Sequence, residues 1–304
     1  MIKDSTNNSV FSVDVEDGIS LAMRDVFKKK ISQTDRVVKT TAHILTLLDQ
    51  FGVKATFFIL GQVADQFPHL VKDIASRGHE IGAHGDNHLR FDRLNARKAK
   101  EELISAKGKL EDLTGAEVLG HRAPAFSITP KTPWAFDVIV SSGFKYDSSL
   151  MPYKYNEWNK FPVNPCKVKT RKGNIITEVP IKPCKFGPLK FPYSGGSYLR
   201  LLPFSIVKAG FKQNLGSSIL YMHPYELDSK RYPDYYFDEL KKSPILTQIK
   251  MRSMWLNRDK TSVKLEKLLS VFNFSTMHNY ISCLEEEGQL KEYNLGSMLN
   301  ANQI

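Results

Sequence analysis

Between Val10 and Asp147 the chain changes repeatedly between two apolar periods, and that alternation constrains its fold more than any other feature. Val10 to Glu16 sets Phe11, Val13 and Val15 against Ser12, Asp14 and Glu16, the two-residue period of a strand. Asp35 to Gln50 carries Val38, Ala42, Leu45 and Leu48 at helical spacing, with Gly52 as a stop. Lys54 to Leu60 is a short apolar run of the buried-strand type. A helix from Pro68 to Ser76, a strand from His79 to Ala83 and a helix from Ala96 to Leu113 follow. A strand from Glu117 to Gly120, a helix from Pro133 to Ser142 and a strand from Phe144 to Asp147 complete the series. Strands and helices in strict alternation imply parallel βαβ units.

The pattern loosens from 150 to 215, a stretch rich in Pro, Lys, Tyr and Gly that reads as long loops and short strands. Later strands are expected at Ile175 to Val179 and Ser218 to His223, and a helix at Val263 to Phe272. The expected fold is α/β: a distorted (β/α) barrel of about seven parallel strands, with irregular insertions. Residues 1–230 form the barrel, and 231–304 a C-terminal helical extension packed on the same domain. In such a barrel the strand ends share one rim, and the polar residues of this chain gather at those ends.

Composition narrows the function classes. With 41% hydrophobic and 25% charged residues, the chain reads as a globular protein with a sizeable core. Its polar start has no apolar leader segment, so the expected location is the cytoplasm. Three separated cysteines, Cys166, Cys184 and Cys283, predict free thiols. The net charge of +11 fits an acidic partner such as a phospholipid-linked glycan, a nucleotide-sugar or an anionic membrane surface. Its lysines are scattered, however, and the simpler reading is a lysine-rich surface. No nucleic-acid-binding module is present, so no nucleic-acid partner is expected. Nothing in the sequence speaks to an oligomeric state.

The chemistry concentrates at the strand ends. His84-Gly85-Asp86-Asn87-His88 places two imidazoles four residues apart in a loop after a strand, a spacing that can close on one metal beside a carboxylate. Asp14-Val15-Glu16-Asp17 ends the first strand. Arg122 follows the fourth in His121-Arg122-Ala123-Pro124, and Asp147-Ser148-Ser149 follows the fifth. His223 lies in Tyr221-Met222-His223-Pro224-Tyr225-Glu226.

In order and spacing, these five motifs resemble the metal-dependent polysaccharide deacetylases of the carbohydrate esterase type, the chitin and peptidoglycan deacetylases. The resemblance runs from about residue 10 to 226. Gly195-Gly196-Ser197-Tyr198-Leu199-Arg200-Leu201-Leu202-Pro203 and Leu268-Leu269-Ser270-Val271-Phe272 are also similar to a subgroup linked to exopolysaccharide and surface-glycan systems. The resemblance implies hydrolysis of an N-acetyl group on an N-acetylhexosamine, in a glycan or glycan precursor.

It also implies roles. Aligned on Gly18, Glu16 is the general base and Asp17 the metal ligand. Aligned on the Asp-x-Asp variant, Asp14 is the base and Glu16 the ligand. Both remain open, with Asp17 the favoured ligand beside His84 and His88. Gly85 stands where the family has Ser or Thr. Arg122 would orient the catalytic carboxylate. His223, across the rim from the carboxylate strand, would protonate the leaving amine, and Asp147 would hold His223, contact substrate or shape a turn. The cofactor is one divalent metal, with zinc favoured and cobalt or iron(II) fitting as well. Tyr153, Tyr198, Trp134 and Trp158 could stack on sugar faces. The partner is an N-acetylated sugar, lipid-linked, nucleotide-linked or polymeric, with possible peripheral contact to an anionic membrane. Two rivals share these residues: an allantoinase-like or cyclic-imide amidohydrolase on the same barrel, and a catalytically inactive glycan-binding protein.

Overall fold

The computed structural model describes residues 9–154 and 161–298. The first half follows the alternation. β1 (Ser9–Val15) leads into α1 (Gly18–Asp25) and α2 (Arg36–Phe51), then β2 (Thr56–Ile59), α3 (Gly61–Gln66), α4 (Pro68–Ser76) and β3 (Glu80–Ala83). α5 (Ala96–Thr114), β4 (Gly120–His121), α6 (Ala135–Ser141) and β5 (Tyr146–Asp147) come next. Helix boundaries follow local chemistry: Asn95 caps α5 by accepting from Lys98 N, and Pro68 stands in the first turn of α4. β4 begins at the residue where the expected strand was to end, and α1 and α3, both short, were not expected.

Past residue 150 the chain is more regular than expected. β6 (Cys166–Lys169), β7 (Ile175–Glu178) and the hairpin β8 (Cys184–Phe186)–β9 (Leu189–Phe191) precede two helices, α7 (Gly196–Leu201) and α8 (Phe204–Gln213). β10 (Ile219–Met222) closes the stretch. The C-terminal region holds α9 (Asp234–Lys242), α10 (Ile245–Ser253), α11 (Arg258–Val271), β11 (Phe274–Ser275), α12 (Met277–Glu286), β12 (Lys291–Asn294) and α13 (Leu295–Met298).

Strand order is β10-β1-β2-β3-β4-β5-β7-β6-β12. The seven strands from β10 to β7 are joined by parallel pairs, as the alternation requires. β6 then runs antiparallel to β7, and no ladder joins β7 back to β10 among the described residues, so the barrel is distorted and open at that seam. Every residue of β1 is buried, because both faces of this central strand are covered.

The C-terminal extension is mainly helical, as expected, and two short strands join it to the sheet. β11 pairs with the start of β1, and β12 pairs with β6. The N-terminus of α12 is also tied to the sheet: Met277 N donates to Thr56 Oγ1 at 2.7 Å and His278 N to Glu80 Oε2 at 3.0 Å. Strands of two and four residues, one of them Lys291-Glu292-Tyr293-Asn294, are too short and too polar to show a period. All three cysteines are free thiols, as expected.

Candidate functional site

Parallel pairing delivers the ends of β1, β3, β4 and β10 to one rim, and each hands over a polar residue just beyond its last paired position. Glu16 follows β1 directly. Its Oε1 lies 2.8 Å from His84 Nε2 and 2.9 Å from His88 Nε2, all three side chains being buried. These three are the one group among the described residues whose donor atoms converge as metal ligands do.

The loop that joins the histidines is shaped for this. Gly85 has φ +79° and His88 φ +52°, so the chain turns back on itself and brings the two rings to a centroid separation of 5.5 Å. A residue with a side chain is strained at Gly85, which accounts for glycine where the resemblance led to Ser or Thr. α3 donates Gly61 N to Gly85 O and Gln62 N to Asp86 O. α5 holds the loop from the other side: Glu102 accepts from Asn87 N, while Ser105 and Lys109 donate to Asp86. Glu102, Ser105 and Lys109 lie on one helical face, and that spacing was the only sequence sign of their role.

Each nitrogen of His84 faces an acceptor. Nδ1 lies 2.8 Å from Arg122 O and Nε2 faces Glu16. Nδ1–H bonded to a carbonyl leaves Nε2 free to ligate. The donor set therefore fits a divalent ion. Burial pushes the Glu16 carboxyl up, but His88, His223 and the hydrogen bond from His84 outweigh it and hold it well below the usual range.

Asp17 is not part of this group. It caps α1: Oδ1 accepts from Ile19 N at 3.0 Å and Oδ2 accepts from Thr34 N. Both oxygens are thus engaged by backbone N–H groups, and burial raises its carboxyl above the usual aspartate range despite them. The geometry does not bring the favoured ligand Asp17 to the imidazoles and puts Glu16 between them instead. Gly18 follows because a side chain there would press into Tyr225 and Tyr232.

Asp14 sits one pleat earlier on the same face as Glu16. Its Oδ1 accepts from Arg122 Nη1 at 2.8 Å. Arg122 is fully buried and bonded through all three nitrogens: Nη1 also donates to Ser12 Oγ, Nε to Ser148 O and Nη2 to Ser148 Oγ, with the guanidinium 4.3 Å from the Phe58 ring centroid. Ser12 and Ser148 were not singled out as functional from sequence, since a serine carries no signal without its partner.

His223 reaches the same place by another route than expected. β10 is the direct neighbour of β1, with Val13 opposite Met222, so His223 lies beside the carboxylate strand and not across the rim. Its Nε2 is 3.8 Å from Glu16 Oε2 and 4.0 Å from Asp14 Oδ2. Glu226 Oε2 accepts from His223 N and lies 3.5 Å from Nδ1, and Tyr225 stacks on the ring at 4.8 Å. Burial lowers the His223 pKa, but Glu16, Glu226 and Asp14 more than reverse it and bring it to about 9. Asp147 does not hold His223. It is buried against His121, Oδ1 to Nδ1 at 2.7 Å.

A cavity of about 330 Å³ opens over these groups, with Asp14, Glu16, His88 and His223 in its wall. Of the four aromatic residues considered for sugar stacking, Tyr198 lines it. Trp134 stacks on Phe91 in the core, Tyr153 packs in a second apolar cluster, and Trp158 lies outside the described residues.

Residues 27–141 match the family model described as polysaccharide deacetylase, and residues 148–282 match a domain of unknown function (DUF3473). The first stretch contains His84, His88 and Arg122 and the second His223, while Asp14 and Glu16 precede both. A peptidoglycan deacetylase of Helicobacter pylori is 32% identical over 108 residues, 36% of this chain and 36% of that protein. A peptidoglycan-N-acetylglucosamine deacetylase of Bacillus cereus is 41% identical over 75 residues, 25% of this chain and 27% of its own length. The match thus spans well under half the length of these curated relatives. Among solved structures, a protein of Mycobacterium smegmatis assigned to the polysaccharide deacetylases superposes with a TM-score of 0.63 at 18% identity, over 96% of this chain and 95% of that one. PuuE allantoinase gives 0.58 at 15% identity, over 94% and 93%. At these identities the likeness is one of fold.

Proposed function

We propose that this chain, which carries a polysaccharide deacetylase domain, is a metal-dependent hydrolase that removes the N-acetyl group from an N-acetylhexosamine in a glycan or glycan precursor. The observation that carries the reading is the convergence of Glu16, His84 and His88 beside a cavity whose wall holds Glu16 and His88 together with Asp14 and His223.

Glu16 Oε1, His84 Nε2 and His88 Nε2 would hold the ion, and zinc suits two imidazoles and a carboxylate. Bound there, a divalent ion supplies Lewis acidity toward the acetyl carbonyl and lowers the pKa of water. The protein does the rest. Arg122 holds Asp14 Oδ1 and so aims Oδ2 at the cavity as the base that accepts the proton of the attacking water. Ser12 and Ser148 fix the guanidinium in turn. His223, whose pKa the flanking carboxylates raise to about 9 in the metal-free fold, is placed to deliver a proton to the amide nitrogen as the C–N bond breaks. This is the reading in which Asp14 is the base and Glu16 the ligand.

The test is acetate release from N-acetylglucosamine oligomers, peptidoglycan fragments and a nucleotide-linked N-acetyl sugar, with and without chelator. Chelator-sensitive release from at least one of them is expected. Release that survives complete metal removal would overturn the mechanism. Hydrolysis of cyclic ureides in place of N-acetyl sugars would move the chain to the amidohydrolase alternative. Purification without stoichiometric metal and without any turnover would identify a binding protein.

A further inference from the structure

The catalytic cavity is not isolated. Beside it runs a second hollow of about 380 Å³, and the two share Leu21, Ala125 and Tyr225 in their walls. The second hollow is largely apolar, with Ala22 of α1 and Val26 just after it facing Met251 and Met254, and with Asp25, Lys250 and Arg258 also in its wall. Met251 belongs to α10, and α10 packs through it on the cluster made by α1 and α9.

Among the described residues, the other face of α10 has no cover. Ile245 is 67% exposed, Leu246 77% and Ile249 58%, and Leu256 continues the ridge. Scattered exposed apolar residues are ordinary, but four on one short segment beside an apolar hollow are not. Along the segment itself the charge has one sign: from Lys241 to Arg258 there are five basic residues and no acidic one. Lys241 and Lys242 pair with Asp238 and Glu239 of α9, and Arg258 is buried. Lys250 and Arg252 have no acidic partner among the described residues. An apolar ridge rimmed by unpaired cations is the pattern of a helix that lies in the interface of an anionic bilayer.

We propose that the α10 ridge seats this chain on an anionic lipid surface, and that the hollow between α1 and α10 admits the hydrocarbon of a lipid-attached glycan whose sugar then reaches the catalytic cavity. The second half rests on the deacetylase reading; the first does not. Charge complementarity selects the bilayer over a second copy of the chain, because two such ridges facing each other would oppose Lys250 and Arg252 with their own likes.

The test is co-sedimentation of the whole chain with phosphatidylcholine vesicles, with and without phosphatidylglycerol. Binding to the phosphatidylglycerol vesicles is expected, weakening with salt and falling roughly tenfold or more in L246D/I249D, whose altered side chains are exposed in the folded protein. K250E/R252E should lose the preference for phosphatidylglycerol. An unchanged thermal melt confirms that the variants fold. No binding at low salt, or equal binding by the wild type and L246D/I249D, would overturn the proposal. A dimer seen by light scattering and lost in L246D/I249D, without vesicle binding, would overturn it in favour of self-association. In a second arm, L246D/I249D should lose turnover of a dodecyl N-acetylglucosaminide embedded in vesicles while keeping turnover of a soluble N-acetylglucosamine oligomer. Vesicle binding with no acetate from either substrate would remove the deacetylase reading and leave the lipid contact standing. Equal turnover of both substrates by the variant would overturn delivery of the lipid-attached sugar from the α10 ridge to the cavity.

Discussion

Arg24 places Nη2 2.8 Å from Nδ1 of His88, on the ring edge opposite Glu16. A donor at Nδ1 favours the tautomer that carries its proton on Nε2, the nitrogen that must be bare to bind a metal. His84 is set the other way, with the Arg122 carbonyl at its Nδ1. The two histidines are therefore unequally prepared. Arg24→Met should tighten metal binding, by roughly tenfold on the scale of outer contacts to ligands. A chelator competition measures this. Unchanged affinity would mean that Arg24 leaves His88 for its other partner, Asp25, without cost.

Glu16 and Asp17 should separate cleanly. Glu16→Ala is expected to lose the metal, since it removes the oxygen shared by both imidazoles. Asp17→Ala is expected to keep it and to lose about 0.5–2 kcal/mol of stability, the usual effect of removing a helix cap. Metal content by elemental analysis and a denaturant melt decide between them. Metal loss in Asp17→Ala with a full site in Glu16→Ala would reverse the assignment.

Asp14→Asn should retain metal and lose turnover by roughly 10²–10⁴-fold, as for loss of a general base. Arg122→Ala should cost about 3–5 kcal/mol of folding stability, because it leaves Asp14 buried without its counter-charge. Urea unfolding of the two variants checks the second figure, and a mild effect would show that water or Ser12 compensates.

His223 carries a pH signature. Its pKa in the metal-free fold is raised from 6.5 to about 9, so its contribution to stability is fully present below pH 6.5 and is lost as pH rises through about 9. An NMR titration of the ring should show that midpoint, and an added divalent ion should lower it by offsetting the charge of Glu16. His223→Ala should keep metal and slow amide hydrolysis more than hydrolysis of an activated acetyl ester, whose leaving group needs less protonation. Equal losses on both substrates would assign His223 a positioning role.

Local patterns were enough for the barrel from β1 to β5. Helix and strand periods are written in neighbouring residues, and parallel strands then have to end on one rim. The closeness of His84 and His88 was legible for the same reason, as both sit in one five-residue loop. The carboxylates were not. Asp14, Glu16 and Asp17 are near neighbours of one chemical type, and the choice among them depends on where β1 stops. What sets the three apart in the fold is Thr34 N, 17 residues away, which takes one oxygen of Asp17, and Arg122, 108 residues away, which takes one of Asp14. The place of His223 beside β1 and the pairing of Asp147 with His121 follow from strand order, and so do β11 and β12. Hydrogen bonds between distant segments set that order, and they leave no period in the chain.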